Sequence, residues 1–245
     1  MKKNLLVLAF LVGLLTCCKS EDAPIKPVKP TDPGSINKEY MSRAETTFAN
    51  IFKYYWSDKV RMMFGSYPNT LGTPQEPSSP DYDSHAFLWG LGSVVSAFNA
   101  IVQNTDNVDF RMTYESRLKE TLLKYYNTTK EPMCFGCFVN PHDQRLYDDA
   151  IWVGIDLADL YSKTKDSWYL DYAKSVWNFV LSGKDDELGG GVYWDENAKD
   201  SKNTCSNAPA VVLALKLYQI TNDAAYLENG KDIYKWTKSK LQDPS

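Results

Sequence analysis

Tyr147-Asp148-Asp149-Ala150-Ile151-Trp152 is the segment in which residue types and spacing come closest to chemistry. Two adjacent carboxyls open an apolar run and have aromatic residues on both sides. Breaking a glycosidic bond takes two carboxyl groups beside the scissile linkage, one of which holds a proton at working pH. Two like charges side by side push one of the pair toward that state. Asp-Asp ahead of an apolar helix is more often an N-cap favoured by the helix dipole, so the pair alone leaves both readings open.

Other reactive side chains are sparse. Cys134-Phe135-Gly136-Cys137 has the spacing of a zinc half-site or a redox centre. A structural zinc site wants four ligands, and beyond the leader the other Cys and His are only His85, His142 and Cys205. No βαβ pattern surrounds the motif, which leaves a local disulfide or free thiols. The two histidines, His85 and His142, sit in no triad or metalloprotease setting. No cofactor is expected. A net charge of −4 argues against nucleic acid, which needs a basic footprint.

The elements that would carry these residues are helical. Apolar residues recur at helical spacing over about 36–56, 84–103, 110–126, 147–163, 167–181, 207–220 and 224–240, with almost no strand-like alternation. Asp109, Asp166 and Asp223 stand where N-caps belong, and Gly183 closes a helix. One pattern occurs twice with identical spacing. Leu160-Tyr161, Thr164, Asp166, Tyr169-Leu170 and Val176-Trp177 match Leu217-Tyr218, Thr221, Asp223, Tyr226-Leu227 and Ile233-Tyr234. Each copy is a helix end, a tight turn and the next helix. Such a hairpin must stack on neighbours to bury its apolar face, in an open solenoid or a closed (α/α) ring. The longer segments between hairpins carry the Gly, Asp and aromatic residues and would gather at one mouth. A complete six-hairpin ring has twelve helices. With seven read here, an incomplete toroid is expected.

The chain opens with Met1-Lys2-Lys3 and the apolar run Leu5 to Leu15, too short to span a bilayer and placed as a secretory signal. Leu15-Thr16-Cys17-Cys18 resembles a bacterial lipobox, with Cys18 as the lipidated residue, Cys17 second to it, and an ordinary cleaved signal as the alternative. Lys19-Ser20-Glu21-Asp22 resembles the signal that sends lipoproteins to the outer face. Four prolines between Ala23 and Gly34 make an extended tether. The expected organisation is a signal peptide at 1–17, a tether at 18–34 and a folded domain at 35–245. Seven Trp, sixteen Tyr and ten Phe suit sugar binding or an ordinary aromatic core.

Three blocks together point to one family. Arg145-Leu146-Tyr147-Asp148-Asp149-Ala150-Ile151-Trp152 resembles the Tyr-Asp-Asp signature of the family 76 glycoside hydrolases, the α-1,6-mannanases. Gly189-Gly190-Gly191-Val192-Tyr193-Trp194 resembles their glycine-rich loop ending in tryptophan. Lys202-Asn203-Thr204-Cys205-Ser206-Asn207-Ala208-Pro209 resembles their next loop, at a helix start. The resemblance implies an all-α (α/α)6 toroid that cuts α-1,6-mannosidic bonds inside mannan with retention. It implies Asp148 as nucleophile and Asp149 as general acid/base. Gly189 to Gly191 would let the backbone approach the sugar closely. Trp194, with Tyr193 second to it, would stack on a mannose ring or fold back on the core. Tyr147, beside the pair, joins the expected contacts. Asn203 and Asn207 would meet hydroxyls, with capping the other use of Asn207. Asp83, Trp89 and Asp195 are weaker candidates for the same cleft.

The expected protein is thus a lipid-anchored mannanase on the outer membrane at the cell surface, with mannan as partner. A surface glycan-binding lipoprotein without turnover is the alternative. A toroid epimerase would lean on histidines that this chain does not offer.

Overall fold

The computed structural model describes residues 33–68, 85–139 and 144–243. The signal peptide, lipidation site Cys18, most of the tether, Asp83 and His142 lie outside the described residues. Among the described residues no helix is long and apolar enough to cross a membrane. The chain forms two units, 1–38 and 39–245.

Seven α-helices dominate the described residues: α1 (Pro33–Tyr55), α2 (Leu88–Asn104), α3 (Val108–Tyr125), α4 (Tyr147–Thr164), α5 (Ser167–Ser182), α6 (Thr204–Thr221) and α7 (Ala224–Leu241). Two short antiparallel ribbons join them, β1 (Trp56–Ser57) with β2 (Met62–Met63) and β3 (Tyr126–Asn127) with β4 (Cys134–Phe135).

Burial separates inner from outer helices. Along α4, Ala150, Ile151, Val153, Gly154, Leu157, Ala158 and Leu160 are all buried, which is apolar cover on several faces. It packs on α2, α5 and α6. Gly154 permits this: a Cβ there would lie 2.9 Å from Val176 of α5 and 3.1 Å from Leu213 of α6. By contrast α5 buries Tyr169, Ala173, Val176, Trp177, Phe179 and Val180, all on one side of the helix, as an outer helix does. Three hairpins follow in chain order, α2–α3, α4–α5 and α6–α7, with α2, α4 and α6 side by side within. This is the helical-hairpin packing of the toroid fold.

The repeated sequence pattern is the hairpin turn itself. Lys165 and Asn222 end α4 and α6 in the left-handed region, at φ 62° and 56°. Asp166 and Asp223 then cap α5 and α7, accepting from Trp168 N at 3.0 Å and Ala225 N at 2.9 Å. Two expectations about helix starts are corrected. Asn107, not Asp109, caps α3 by accepting from Phe110 N at 3.0 Å. Helix α6 begins at Thr204, a turn before Asn207, so Pro209 lies inside the helix rather than in its opening turn.

Candidate active site

Helix α4 presents the carboxyl pair at its first turn. Leu146 is its N-cap residue, and no side chain caps the helix. Asp148 Oδ1 accepts only from the amide of Asp149, at 3.1 Å, so neither carboxyl serves as the N-cap. The start of α4 is fixed by backbone instead: Tyr147 N donates to Trp194 O at 3.0 Å, and Leu146 pairs with Asp195.

The pair is asymmetric. Asp149 is buried, with 9% of its surface exposed, whereas Asp148 is half-buried. Burial first, then the charge of Asp148, pushes Asp149 up to about 6, against a smaller lowering by the Cys137 thiol. Asp148 Oδ2 accepts from Trp194 Nε1 at 3.1 Å. Trp89, Gly92, Ser93 and Ser96 of α2 join Asp149 and Trp152 around a cavity of about 290 Å³. Trp89 and Trp152 are 54% and 42% exposed, and Trp194 is 38% exposed. Three indole rings with free surface therefore surround the two carboxyls.

Arg145 anchors this arrangement from below. Its side chain is fully buried, its Nε donates to Glu196 Oε2 at 2.8 Å, and its Nη1 donates to Lys130 O at 3.1 Å and Pro132 O at 2.7 Å. Glu196 is held below its ordinary range by Arg145 and Lys130, in spite of a burial effect that acts the other way. One side chain thus ties three loops together next to the carboxyl pair.

Several residues expected at the substrate have structural places. Tyr147 is buried, stacks on Phe179 at 4.3 Å and faces Gly183, where a Cβ would lie 2.4 Å from its ring. Tyr193 is buried, donates to Glu187 Oε2 at 3.0 Å and lies under the Lys202 ammonium. Asn207 is buried and satisfied: its Oδ1 accepts from Val192 N at 2.7 Å, and its Nδ2 donates to Val192 O at 2.8 Å. It clamps the glycine-rich loop rather than meeting a hydroxyl. The glycines of that loop bend around Trp236 of α7. Gly191, at φ +78°, would bring a Cβ within 2.4 Å of that indole. Lys202, also buried, donates to Asp185 Oδ1 at 2.6 Å and to the carbonyls of Glu187 and Gly190 at 2.8 Å. Asp195 is buried and accepts from Asn197 N at 2.7 Å. Asn203 is half-buried at the start of α6, and its carbonyl accepts from Ser206 N and Asn207 N.

What the sequence passed over is Trp152 and the Ser93–Ser96 face of α2. Trp152 lies three residues after Asp149, nearly one helical turn on, and that spacing was the available signal. The serines carried none. Cys134 and Cys137 are separate buried thiols.

The profile of glycosyl hydrolase family 76 matches residues 39–245. A family 76 glycoside hydrolase from a bovine Bacteroides thetaiotaomicron strain has 30% identity and TM-score 0.71, over 84% of this chain and 43% of that one. A family 76 mannosidase from Bacteroides thetaiotaomicron VPI-5482 has 25% identity and TM-score 0.72, over 84% and 55%. An inactive variant of the α-1,6-mannanase of Salegentibacter sp. HEL1_6, with two adjacent aspartates replaced and α-1,6-mannotetraose bound, has 23% identity and TM-score 0.63, over 84% and 52%. The chain spans about half the length of these structures. None of the curated proteins matches it. With the family profile covering the whole of the second unit, and the Tyr-Asp-Asp, glycine-loop and Asn blocks in order along it, the chain belongs to glycosyl hydrolase family 76.

Proposed function

We propose that the protein is an endo-acting hydrolase of α-1,6-mannosidic bonds in mannan, working with retention of configuration. The observation that carries this is the split of the carboxyl pair, with Asp149 buried and pushed up to about 6 beside a half-buried Asp148. Asp149 protonates the leaving oxygen while Asp148 attacks the anomeric carbon, forming a glycosyl ester. Asp149, now a base, takes a proton from water, which releases the sugar and restores both groups. The Trp194 N–H holds the Asp148 carboxylate in one orientation. Trp89, Trp152 and Trp194 offer faces for pyranose rings, and Asn203 a side chain for hydroxyls. Two adjacent aspartates are the residues replaced in the inactive mannanase from Salegentibacter, which supports the same assignment here.

The test is reducing-end release from linear α-1,6-mannan by the chain and by Asp148→Asn. Hydrolysis by the first and a loss of about 1,000-fold or more in the second is expected. Binding of mannan without any turnover would favour the surface glycan-binding reading.

We further propose that the protein is held at the outer face of the outer membrane by lipid on Cys18, for which the leader sequence is the support. Cys18→Ala should move it to the soluble fraction. A variant that stays with membranes and carries fatty-acid label would transfer the anchor to Cys17 or elsewhere.

A further inference from the structure

Asp156 is a second buried carboxyl on α4, about two helical turns beyond Asp149 on the same face. Helix α2 engages both of its oxygens. Oδ1 accepts from Asn99 Nδ2 at 2.8 Å, and Oδ2 accepts from Ser96 Oγ. Asn99, also buried, is held in one orientation. Its Oδ1 accepts from Gln103 Nε2 at 3.0 Å, and the same nitrogen of Gln103 donates to Asp159 O at 3.1 Å. Asn99 can therefore turn only its nitrogen to Asp156. Lys216 of α6 pairs with Asp159 on the far side of this network. On the near side stands Ser96, which also lines the cavity beside Asp149, Trp89 and Ser93. Ser93 turns its own hydrogen back along the helix, donating to Trp89 O at 3.3 Å.

We propose that Ser96 determines sugar specificity, its oxygen accepting from a sugar hydroxyl, and that Asp156 is the positioning residue that turns the Ser96 hydrogen away from the cavity. The proposal rests on the reading of this cavity as the mannan site.

A serine hydroxyl has one hydrogen and two lone pairs. With the hydrogen of Ser96 given to Asp156, lone pairs are what it keeps for a ligand. The same holds for Ser93. The serine wall of α2 therefore accepts and does not donate, and it fits a ligand group that brings its own hydrogen. A sugar hydroxyl does so. An analogue without that hydrogen would set one acceptor against another, which is how a site built for a hydroxyl rejects its isostere. The state of Asp156 agrees with this direction. Burial pushes it above its ordinary range, and the bonds from Ser96 and Asn99 oppose that by favouring the ionised form, which can only accept. Trp89 and Trp152 add ring faces to the same cavity, so the indoles meet the face of a pyranose and Ser96 reads its edge.

The test is calorimetric binding to the full chain carrying Asp148→Asn, which keeps the sugar intact. The probes are methyl α-1,6-mannobioside and its analogues with a single hydroxyl, at C2, C3 or C4 of either ring, replaced by fluorine, which cannot donate. Ser96→Ala should weaken binding of the disaccharide about fivefold, the scale of one hydrogen bond. With Ser96 present, one fluorinated analogue should bind about tenfold more weakly than the disaccharide, and in Ser96→Ala that penalty should shrink to about twofold. Asp156→Asn keeps an oxygen toward Asn99 and places an N–H at Ser96, which frees the serine hydrogen for the cavity. The fluorine penalty at the same position should disappear there too, whereas loss of a merely structural tie would weaken every probe alike. An affinity indifferent to Ser96→Ala, or a fluorine penalty equal with and without Ser96, overturns the Ser96 assignment. Uniform weakening by Asp156→Asn, or its failure to fold, overturns that of Asp156. No binding of the disaccharide overturns both assignments together with the mannan reading. Binding with the expected pattern, but no hydrolysis of mannan by the chain with Asp148, sinks the catalytic reading alone.

Discussion

At the scale of single residues, Asp149 makes function and stability pull in opposite directions. As general acid it must hold a proton, so hydrolysis should fall about tenfold per pH unit above about 6, the value to which burial and Asp148 push it. The same shift acts on folding. Its folded pKa lies above its unfolded one, so folding favours proton uptake. That contribution is complete below about pH 4 and is lost as pH rises through about 6. Holding the buried carboxylate at pH 8 costs up to about 3 kcal/mol, the conversion of a shift of about two units. Asp149→Asn should therefore cut hydrolysis of mannan by about 100- to 10,000-fold and yet melt higher than the parent at pH 8, with little difference at pH 4. A lower melting temperature for the variant at pH 8 would contradict the burial argument. Much of this was legible in the sequence, because an Asp-Asp pair at a helix start is visible there. Whether it caps the helix was not, since that depends on the Trp194 carbonyl and the Leu146 backbone, which arrive from elsewhere in the chain. Tyr147, Tyr193 and Asn207 show the converse. Motif position put them at the sugar, whereas their contacts with Phe179, Glu187 and Val192 put them in the framework.

At the scale of elements, the site is a junction of loops held by buried polar groups. Arg145 is the centre of that junction, and a buried charge that loses its partner is costly. Arg145→Ala leaves Glu196 and the carbonyls of Lys130 and Pro132 without their donor. The expected loss is about 3–5 kcal/mol, read as a shifted denaturation midpoint. A change below about 1 kcal/mol would mean that water replaces the guanidinium at little cost. The hairpin turns were the most legible elements. Thr164 and Thr221 each donate to a carbonyl four residues back and accept from the next Asp amide, so one local code wrote both turns. The glycine-rich loop was less so. Its glycines were visible as a close approach, but their neighbour, Trp236, lies far along the chain and could not be identified by spacing.

At the scale of the molecule, the exposed faces of the last hairpin decide behaviour. Val212 and Leu215 of α6 and Tyr234 and Leu241 of α7 are exposed apolar side chains on the hairpin. Exposed apolar side chains favour association where they adjoin. Residues 35–245 should self-associate with concentration in sedimentation experiments, and Val212→Glu with Leu215→Glu should suppress it. A monodisperse monomer at all concentrations would show that this surface is too broken to act. The helical class and the hairpin order were legible from periodicity alone. The distinction between inner and outer helices was not, because it is set by what packs on each face.

The pairing of roles across Asp148 and Asp149 is best tested by trapping the ester that joins sugar to protein. The Asp149→Asn variant, given an α-1,6-mannobiosyl fluoride whose leaving group needs no proton, should form the glycosyl-enzyme and release it slowly, for want of a base. Peptide mass spectrometry should then find a disaccharide adduct on the peptide bearing Asp148, and none when Asp148→Asn is added. An adduct on another residue, or one that survives Asp148→Asn, would contradict the assignment.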